Sequence, residues 1–558
     1  MSEPQFDLDE IPFSMRGSWL SISRVVGLHD YADLVHLVSH TTGMHPVLSF
    51  EPCVAGERID YVMLAKPSVL CWETEKGDVC AAFERPNMIR LRGDGVGLRL
   101  QDTTRELTPF TGNFLFVSPN DQSAVITSYE TGRRYKIAGI SGSFEVEGAE
   151  LLGAGERMVE VGRDGHPWEI SIEEVESELG SVADSQTFNA VVATRAKDFG
   201  AYASALAPSA SEAAMLAAYV LWSATVGPAG FLGREGVLMS KHWMDKVWSW
   251  DHCFNALALA PNLPDEALDQ FMLPFDHQTT DGALPDSITH SEILFNFVKP
   301  PIHGWAFALL RKRMPVPLSR SALQNAYERM SAWSRFWLAR RAPESALPYY
   351  EHGNDSGWDN STVFDGHRLI ESPDVAAFLL VQLHVVADLA AELGEDSAPW
   401  LVEADLLRDA LVTELCVGNQ LVARSVNGHE QASTSSLLTA QPILAAEYLP
   451  DDIVEALAAK IETHLTAWGP ATELVDSSKY ESDGYWRGPI WAPSTYLIVA
   501  GLHSAGRHEL AAEIGKRFCV LCENHGFAEN FDAITGEGLR DRAYTWTAAV
   551  YLLLAENW

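Results

Sequence analysis

The chain has 558 residues, 47% hydrophobic and 21% charged, the composition of a folded protein too long for one ordinary core. A formal net charge of −36 sets it against nucleic-acid phosphates and anionic membranes, leaving neutral or small ligands, or anions held by a local Arg or Lys. Seven cysteines, an odd number in so long a chain, argue against a disulfide framework, and no run reaches the ~18 apolar residues of a membrane span.

The first residues are acidic and contain no apolar signal core, so a cytoplasmic enzyme with a small, imported or intracellular substrate is expected. Residues 1–195 read as β structure. Short β-branched or aromatic runs begin at Asp60, Val69, Met88, Gly97, Ser123 and Arg134, with turn residues such as Gly93 to Gly95 between them. This pattern predicts a β-sandwich-like domain, interrupted by one helical patch near Asp30 to His40. The Ala- and Ser-rich stretch 196–211, with Pro208, reads as a linker.

From Ser211 onward the chain is helical. Apolar residues recur at i, i+3 and i+4 over 211–226, 248–260, 264–275, 301–314, 320–341, 372–393, 397–415, 433–447, 452–465, 489–505, 507–524 and 542–556. About twelve helices without a sequence repeat suit a closed toroid of six hairpins rather than a solenoid. The expected catalytic domain is therefore 212–558, an (α/α)6 barrel. Cys519 and Cys522 form a lone C-x-x-C inside one of these helices and read as buried thiols. No acidic run has the spacing of an EF-hand, so no cofactor is predicted, although acidic loops leave room for a structural Ca²⁺.

Aromatic and acidic residues gather in four inter-helix segments: Trp243 to Asn255, Gly353 to Ser361, Gly484 to Pro493 and Ala528 to Gly538. Sugars present apolar C–H faces and polar edges, so Trp rings beside Asp, Asn, His and Arg suit a carbohydrate pocket. Glycosidic cleavage needs one carboxyl to protonate the leaving oxygen and a second carboxylate, which in an inverting enzyme activates water. Each residue also has a plain structural reading. Asp359 or Asp355 fits an Asx turn, Glu529 a solvent-facing loop, Asp251 a helix cap, and Trp486 with Trp491 the core.

At these segments the sequence resembles glycoside hydrolase family 63 and, more distantly, the trehalases. The carriers are Gly357 to Ser361, Glu529 to Gly536, Tyr485 to Pro493, Trp250 to Ala256, and Lys299 to Trp305 following Gly282 to Asp286. The resemblance covers roughly 210–558. It implies an inverting hydrolase of α-glycosidic bonds with Asp359 as general acid and Glu529 as general base. Trp250, Asp251, Trp486 and Arg487 would hold the sugar, with Asp355, Trp358 and Trp491 as neighbours and His303 and Trp305 further candidates. The main expectation is an α-glucosidase-like activity on a small oligosaccharide or glycoside. A glucosylglycerate or mannosylglycerate hydrolase is the alternative, with Arg487 as a cation for the glycerate carboxylate. A phosphorylase is disfavoured because it needs no base, an epimerase because no His pair lies in these loops, and a non-catalytic carbohydrate-binding protein because both carboxylates are present.

Overall fold

The computed structural model describes residues 3–26, 30–104, 112–151, 156–176, 186–343 and 345–556. The chain forms two compact units. One comprises Met1–Lys246 with Thr289–Ser291, the other Val247–Ile288 with Glu292–Trp558.

The first unit holds two antiparallel sheets. Its strands are β1 (Leu20–Val26), β2 (Asp30–Ser39), β3 (His45–Val54), β4 (Glu57–Arg58), β5 (Val62–Lys66), β6 (Val69–Thr74), β7 (Gly77–Arg85) and β8 (Met88–Asp94). They continue with β9 (Gly97–Asp102), β10 (Asn113–Val117), β11 (Ala124–Ser128), β12 (Arg134–Ser141), β13 (Phe144–Glu147), β14 (Met158–Val161) and β15 (Trp168–Val175). One sheet runs β1-β2-β3-β9-β14-β13 with β4 on β3, and the other β10-β11-β12-β15-β8-β7-β6-β5. Alternate residues such as Leu98 and Leu100, Val159 and Val161, and Ile170 and Ile172 are buried, and Phe50 of one sheet meets Trp72 of the other at 5.7 Å. That is the period-two pattern of sheets packed face to face. Trp168 is seated by glycines: a Cβ at Gly162 (φ +65°) would stand 2.0 Å from its indole and one at Gly93 2.6 Å.

The structure corrects four expectations in or near this unit. The patch expected to be helical is strand β2, because His36, Leu37 and Val38 pair with both β1 and β3. The expected linker is helical for most of its length, as part of α1 (Phe188–Leu206). Its buried face of Phe188, Val191, Phe199, Tyr202 and Leu206 is easily hidden in an Ala-rich composition, and Phe188 and Val191 pack on Ala82 of β7. Helix α2 (Glu212–Ala224), capped by Ser211 as expected, groups with this unit and not with the later helices. Finally, Cys71 and Cys80 are direct partners across β6 and β7 and form a disulfide, while Cys53, Cys253, Cys416, Cys519 and Cys522 are free.

The second unit is helical. It contains α3 (His252–Leu259), α4 (Pro264–Asp276), α5 (His303–Arg313), α6 (Arg320–Arg340), α7 (Pro373–Leu393) and α8 (Ala398–Glu414). After a 3-10 helix (Leu437–Tyr448) come α9 (Asp451–Thr463), α10 (Ala492–Ser504), α11 (His508–His525) and α12 (Thr545–Ala555). Contacts run in a closed ring from α3 through α5, α7, the 3-10 helix, α10 and α12 back to α3, and α4, α6, α8, α9 and α11 pack outside it. This is an (α/α)6 barrel. The inner helices are apolar on every side because neighbours surround them. Thus α7 has the length and apolarity of a membrane span, but 78% of that window is buried in the ring. The segment expected as an α-helix at 433–447 is 3-10 instead: Pro442 lacks the N–H that an α-ladder requires.

Candidate active site

The inner helices run parallel, so their N-termini lie at one end of the ring. The loops entering them carry the acidic and aromatic segments. Asp251 immediately precedes α3, Asp359 lies ahead of α7, Trp486 and Trp491 ahead of α10, and Glu529 ahead of α12. Asp251, directly ahead of α3, stands at the positive end of that helix dipole.

The loop bearing Asp359 is built by glycines and by Asp355. Gly357 (φ +73°) lets the Trp250 indole lie where a Cβ would approach it to 2.5 Å, and a Cβ at Gly353 would meet the Asp359 carbonyl at 2.1 Å. Asp355 is 1% exposed and fully engaged. It accepts from the N–H of Val298 (3.1 Å) and of Glu351 (2.8 Å), and pairs with Arg341 at 2.9 Å. Asn360 then joins this loop to the next: its side chain donates to the Gly484 carbonyl and accepts from the Trp486 N–H, both at 3.0 Å.

Indoles form a continuous wall. Trp358 stacks on Trp486 at 4.6 Å and Trp486 on Trp491 at 4.0 Å. Trp546 meets Trp491 edge-on at 5.6 Å and Trp250 at 5.9 Å. These indoles are buried, and Trp486 is stacked on both Trp358 and Trp491, so they form a packed aromatic cluster beside the carboxylates.

Glu529 is 2% exposed, with its N–H bonded to the Asp541 carbonyl at 2.6 Å. Burial, with a further push from Asp541, raises its carboxyl to about 8, against a lowering hydrogen bond from Tyr485. Asp251 is likewise pushed up to about 8 by burial, offset by the Lys299 ammonium. Glu529 Oε1 and Asp251 Oδ2 have no hydrogen-bond partner among the described residues. Buried polar atoms of that kind call for an explanation, and a bound hydroxyl or water is the simplest. Asp359 is half-buried and lies within electrostatic reach of Asp251, Asp286, Glu529 and Tyr485. Lys299 is 5% exposed, faces Asp286 at 3.2 Å and donates to the Asn354 carbonyl at 2.7 Å.

The structure therefore gathers Asp359, Glu529, Asp251, Trp250, Trp358, Trp486 and Trp491. It does not place Arg487 or His303 free for a ligand. Arg487 donates to the Asn360 carbonyl at 2.8 Å and pairs with Asp365. His303 packs against Phe275 at 5.3 Å and against Phe271, bonds the Ser249 carbonyl at 3.0 Å, and is lowered to about 4 by burial, as expected of a neutral core histidine. Trp305 contacts Tyr496, and both line a separate cavity of about 790 Å³ among the C-terminal parts of the inner helices. Sequence reasoning missed Tyr485, Asn360, Asp286, Lys299 and Trp546 as site residues. The first four stood inside or beside the quoted motifs, and Trp546 was one more Trp near a helix start. No group of three His, Cys, Asp or Glu residues arranged to hold a metal occurs among the described residues.

The raised carboxyls carry a stability signature. Asp251 and Glu529 titrate near 8 in the fold, against ordinary values of 3.8 and 4.5. The native state thus keeps protons that the unfolded chain releases, and stability falls as pH rises from about 4 to about 8. Asp251→Asn combined with Glu529→Gln is expected to raise the Tm at pH 8 by at least about 2 °C, with the gain vanishing near pH 4. Thermal unfolding of both proteins across that range checks it, and an equal effect at every pH would refute it.

Residues 244–547 match the family model of the mannosylglycerate hydrolase MGH1-like glycoside hydrolase domain. A mannosylglycerate hydrolase of Thermus thermophilus is 34% identical over 395 residues, 55% of this chain and 93% of the relative. A glucosylglycerate hydrolase of Mycolicibacterium hassiacum is 23% identical over 407 residues, 55% of this chain and 91% of that protein. The barrel fold is shared with a glycoside hydrolase family 63 mannosylglycerate hydrolase from another strain of Thermus thermophilus, solved with glucose. That match has a TM-score of 0.55 and 20% identity, and covers 61% of this chain and 98% of the other.

Proposed function

Because the chain belongs to the mannosylglycerate hydrolase MGH1-like glycoside hydrolase family and is a glycoside hydrolase, we propose that it cleaves the α-glycosidic bond between a hexose and glycerate, with inversion at the anomeric carbon. Both a mannosylglycerate and a glucosylglycerate hydrolase stand among its relatives, which favours this substrate class over the general α-glucoside of the first expectation. The observation that carries the reaction type is the Asp359 and Glu529 pair, on loops at the same end of the ring and within electrostatic reach of each other. Asp359 protonates the departing glycerate oxygen, Glu529 takes a proton from the attacking water, and the indoles with Asp251 hold the sugar.

One observation favours a second reading, a neutral small α-glucoside. Arg487, the cation offered to a glycerate carboxylate, is held by Asp365, so the substrate anion would have to compete for it. Proton NMR separates the two. The protein is incubated with α-mannosyl- and α-glucosylglycerate and with neutral α-glucosides, and the anomeric signals are followed from the first minutes. The expected result is early β-anomer from a hexosylglycerate. Turnover of neutral glucosides alone would favour the second reading, and early α-anomer would refute inversion.

A cytoplasmic location with a small intracellular substrate belongs to the same proposal. The Cys71–Cys80 disulfide is the feature that fits it least, because the cytosol keeps thiols reduced. Cell fractionation tests it, and recovery of the enzyme outside the cytoplasm would refute it.

A further inference from the structure

Lys299 is a buried cation whose two partners sit on different loops. Its ammonium faces Asp286 Oδ1 at 3.2 Å and donates to the Asn354 carbonyl at 2.7 Å. An ammonium taken out of water persists only among such partners, so both contacts fix the side chain. Pro300 and Pro301 follow it, which confines the Lys299 backbone to extended conformations and stiffens its mount. On one side, the Asp286 carbonyl accepts from the Ser249 N–H at 3.2 Å, and Ser287 and Ile288 pair with Trp248 and Val247 as short antiparallel strands. That segment runs directly into Trp250 and Asp251. On the other side, Asn354 lies in the turn Gly353–Ser356 that leads into Asp359. The neighbouring Val298 N–H donates to Asp355 Oδ1 of the same turn at 3.1 Å.

We propose that Lys299 is a positioning residue: it ties the segment bearing Asp251, which holds the sugar, to the loop bearing Asp359, and so sets where the acid stands relative to the leaving oxygen. The proposal rests on the hydrolase reading above, in which those two groups have those roles. Burial raises the carboxyls of both Asp251 and Asp286, and the Lys299 ammonium opposes the rise in each. The same side chain thus supplies the tie and the positive charge on this side of the site.

An α-glycosyl fluoride separates this role from a merely structural one, because fluoride departs with little help from an acid. Lys299→Met should lower kcat on the hexosylglycerate by about 10- to 100-fold, the cost of displacing a catalytic group by about 1 Å. The loss should stay below that of Asp359→Asn, since Asn360 still bonds the loop to Gly484 and Trp486. KM for the hexosylglycerate, and kcat on the fluoride, should each stay within about threefold of the parent protein. Lys299→Met alone leaves the Asp286 carboxyl buried without its partner, so Lys299→Met combined with Asp286→Asn is measured beside it. That double change removes both charges, and the same contrast between substrates is expected. Equal losses on the two substrates, no loss on either, or a rise in KM alone overturns the proposal. Hexosylglycerate turnover restored in the double variant overturns it too, because Lys299 would then serve only to neutralise Asp286. The hydrolase reading fails differently. Full hydrolysis of the hexosylglycerate by Asp359→Asn would remove that reading, whereas equal losses in the Lys299 variants, with Asp359→Asn keeping only the fluoride, would remove the positioning role alone.

Discussion

Asp359→Asn and Glu529→Gln are each expected to lower kcat on the hexosylglycerate by about 10²–10⁴-fold, the usual contribution of one acid or base. The two losses differ in kind on an α-glycosyl fluoride. Fluoride departs with little help from a proton, so a variant lacking the acid keeps most of its turnover there. A variant lacking the base leaves water unactivated on both substrates. Asp359→Asn should therefore retain the fluoride and Glu529→Gln should lose both. This contrast matters because the environments of the two carboxyls differ. Glu529 is deeply buried and raised to about 8, while Asp359 is half-buried. A carboxyl kept protonated near neutrality is also suited to be the acid. Retention of fluoride turnover by Glu529→Gln with loss in Asp359→Asn would exchange the two roles. Under the present assignment, Glu529 must lose its proton before it can act, so kcat/KM should rise with pH through neutrality.

Asp355→Ala is expected to act on stability rather than chemistry, with a loss of about 3–5 kcal/mol. Asp355 and Arg341 form a pair with side chains 2% and 9% exposed, and the carboxylate also receives the N–H groups of Val298 and Glu351. Truncation leaves two backbone donors without their acceptor and the nearly buried guanidinium with the exposed Glu351 carboxylate at 3.2 Å in place of a buried partner. Urea unfolding of the variant should show a lower midpoint with an unchanged slope. Asp355→Asn, which keeps an acceptor oxygen, should lose less. A variant with unaltered stability and abolished turnover would instead put Asp355 in the chemistry.

Much of the fold was legible because local pattern and burial agree. Each of the twelve apolar stretches contains a helix, and the repeat of Ala376, Leu379, Leu380 and Leu383 is buried in α7. Errors arose where local signals conflict. Leu34 to Val38 fits either period, and only pairing with two neighbours makes it β2. In α1, the spacing of Phe188, Val191, Phe199, Tyr202 and Leu206 carried a helical signal that Ala and Ser obscured.

For the site, the sequence determined which residue types lie together along the chain: an Asp between Trp358 and Asn360, a Glu in the loop before α12, and Trp rings beside both. It could not determine their partners. Folding brings Arg341 to Asp355, and Asp365, 122 positions away, to Arg487. Burial pushes the Glu529 and Asp251 carboxyls up to about 8. The physical reason is range. Helix periodicity and loop composition are set by residues a few positions apart, whereas desolvation and ion pairing are set by whichever distant segments the closed ring brings into contact.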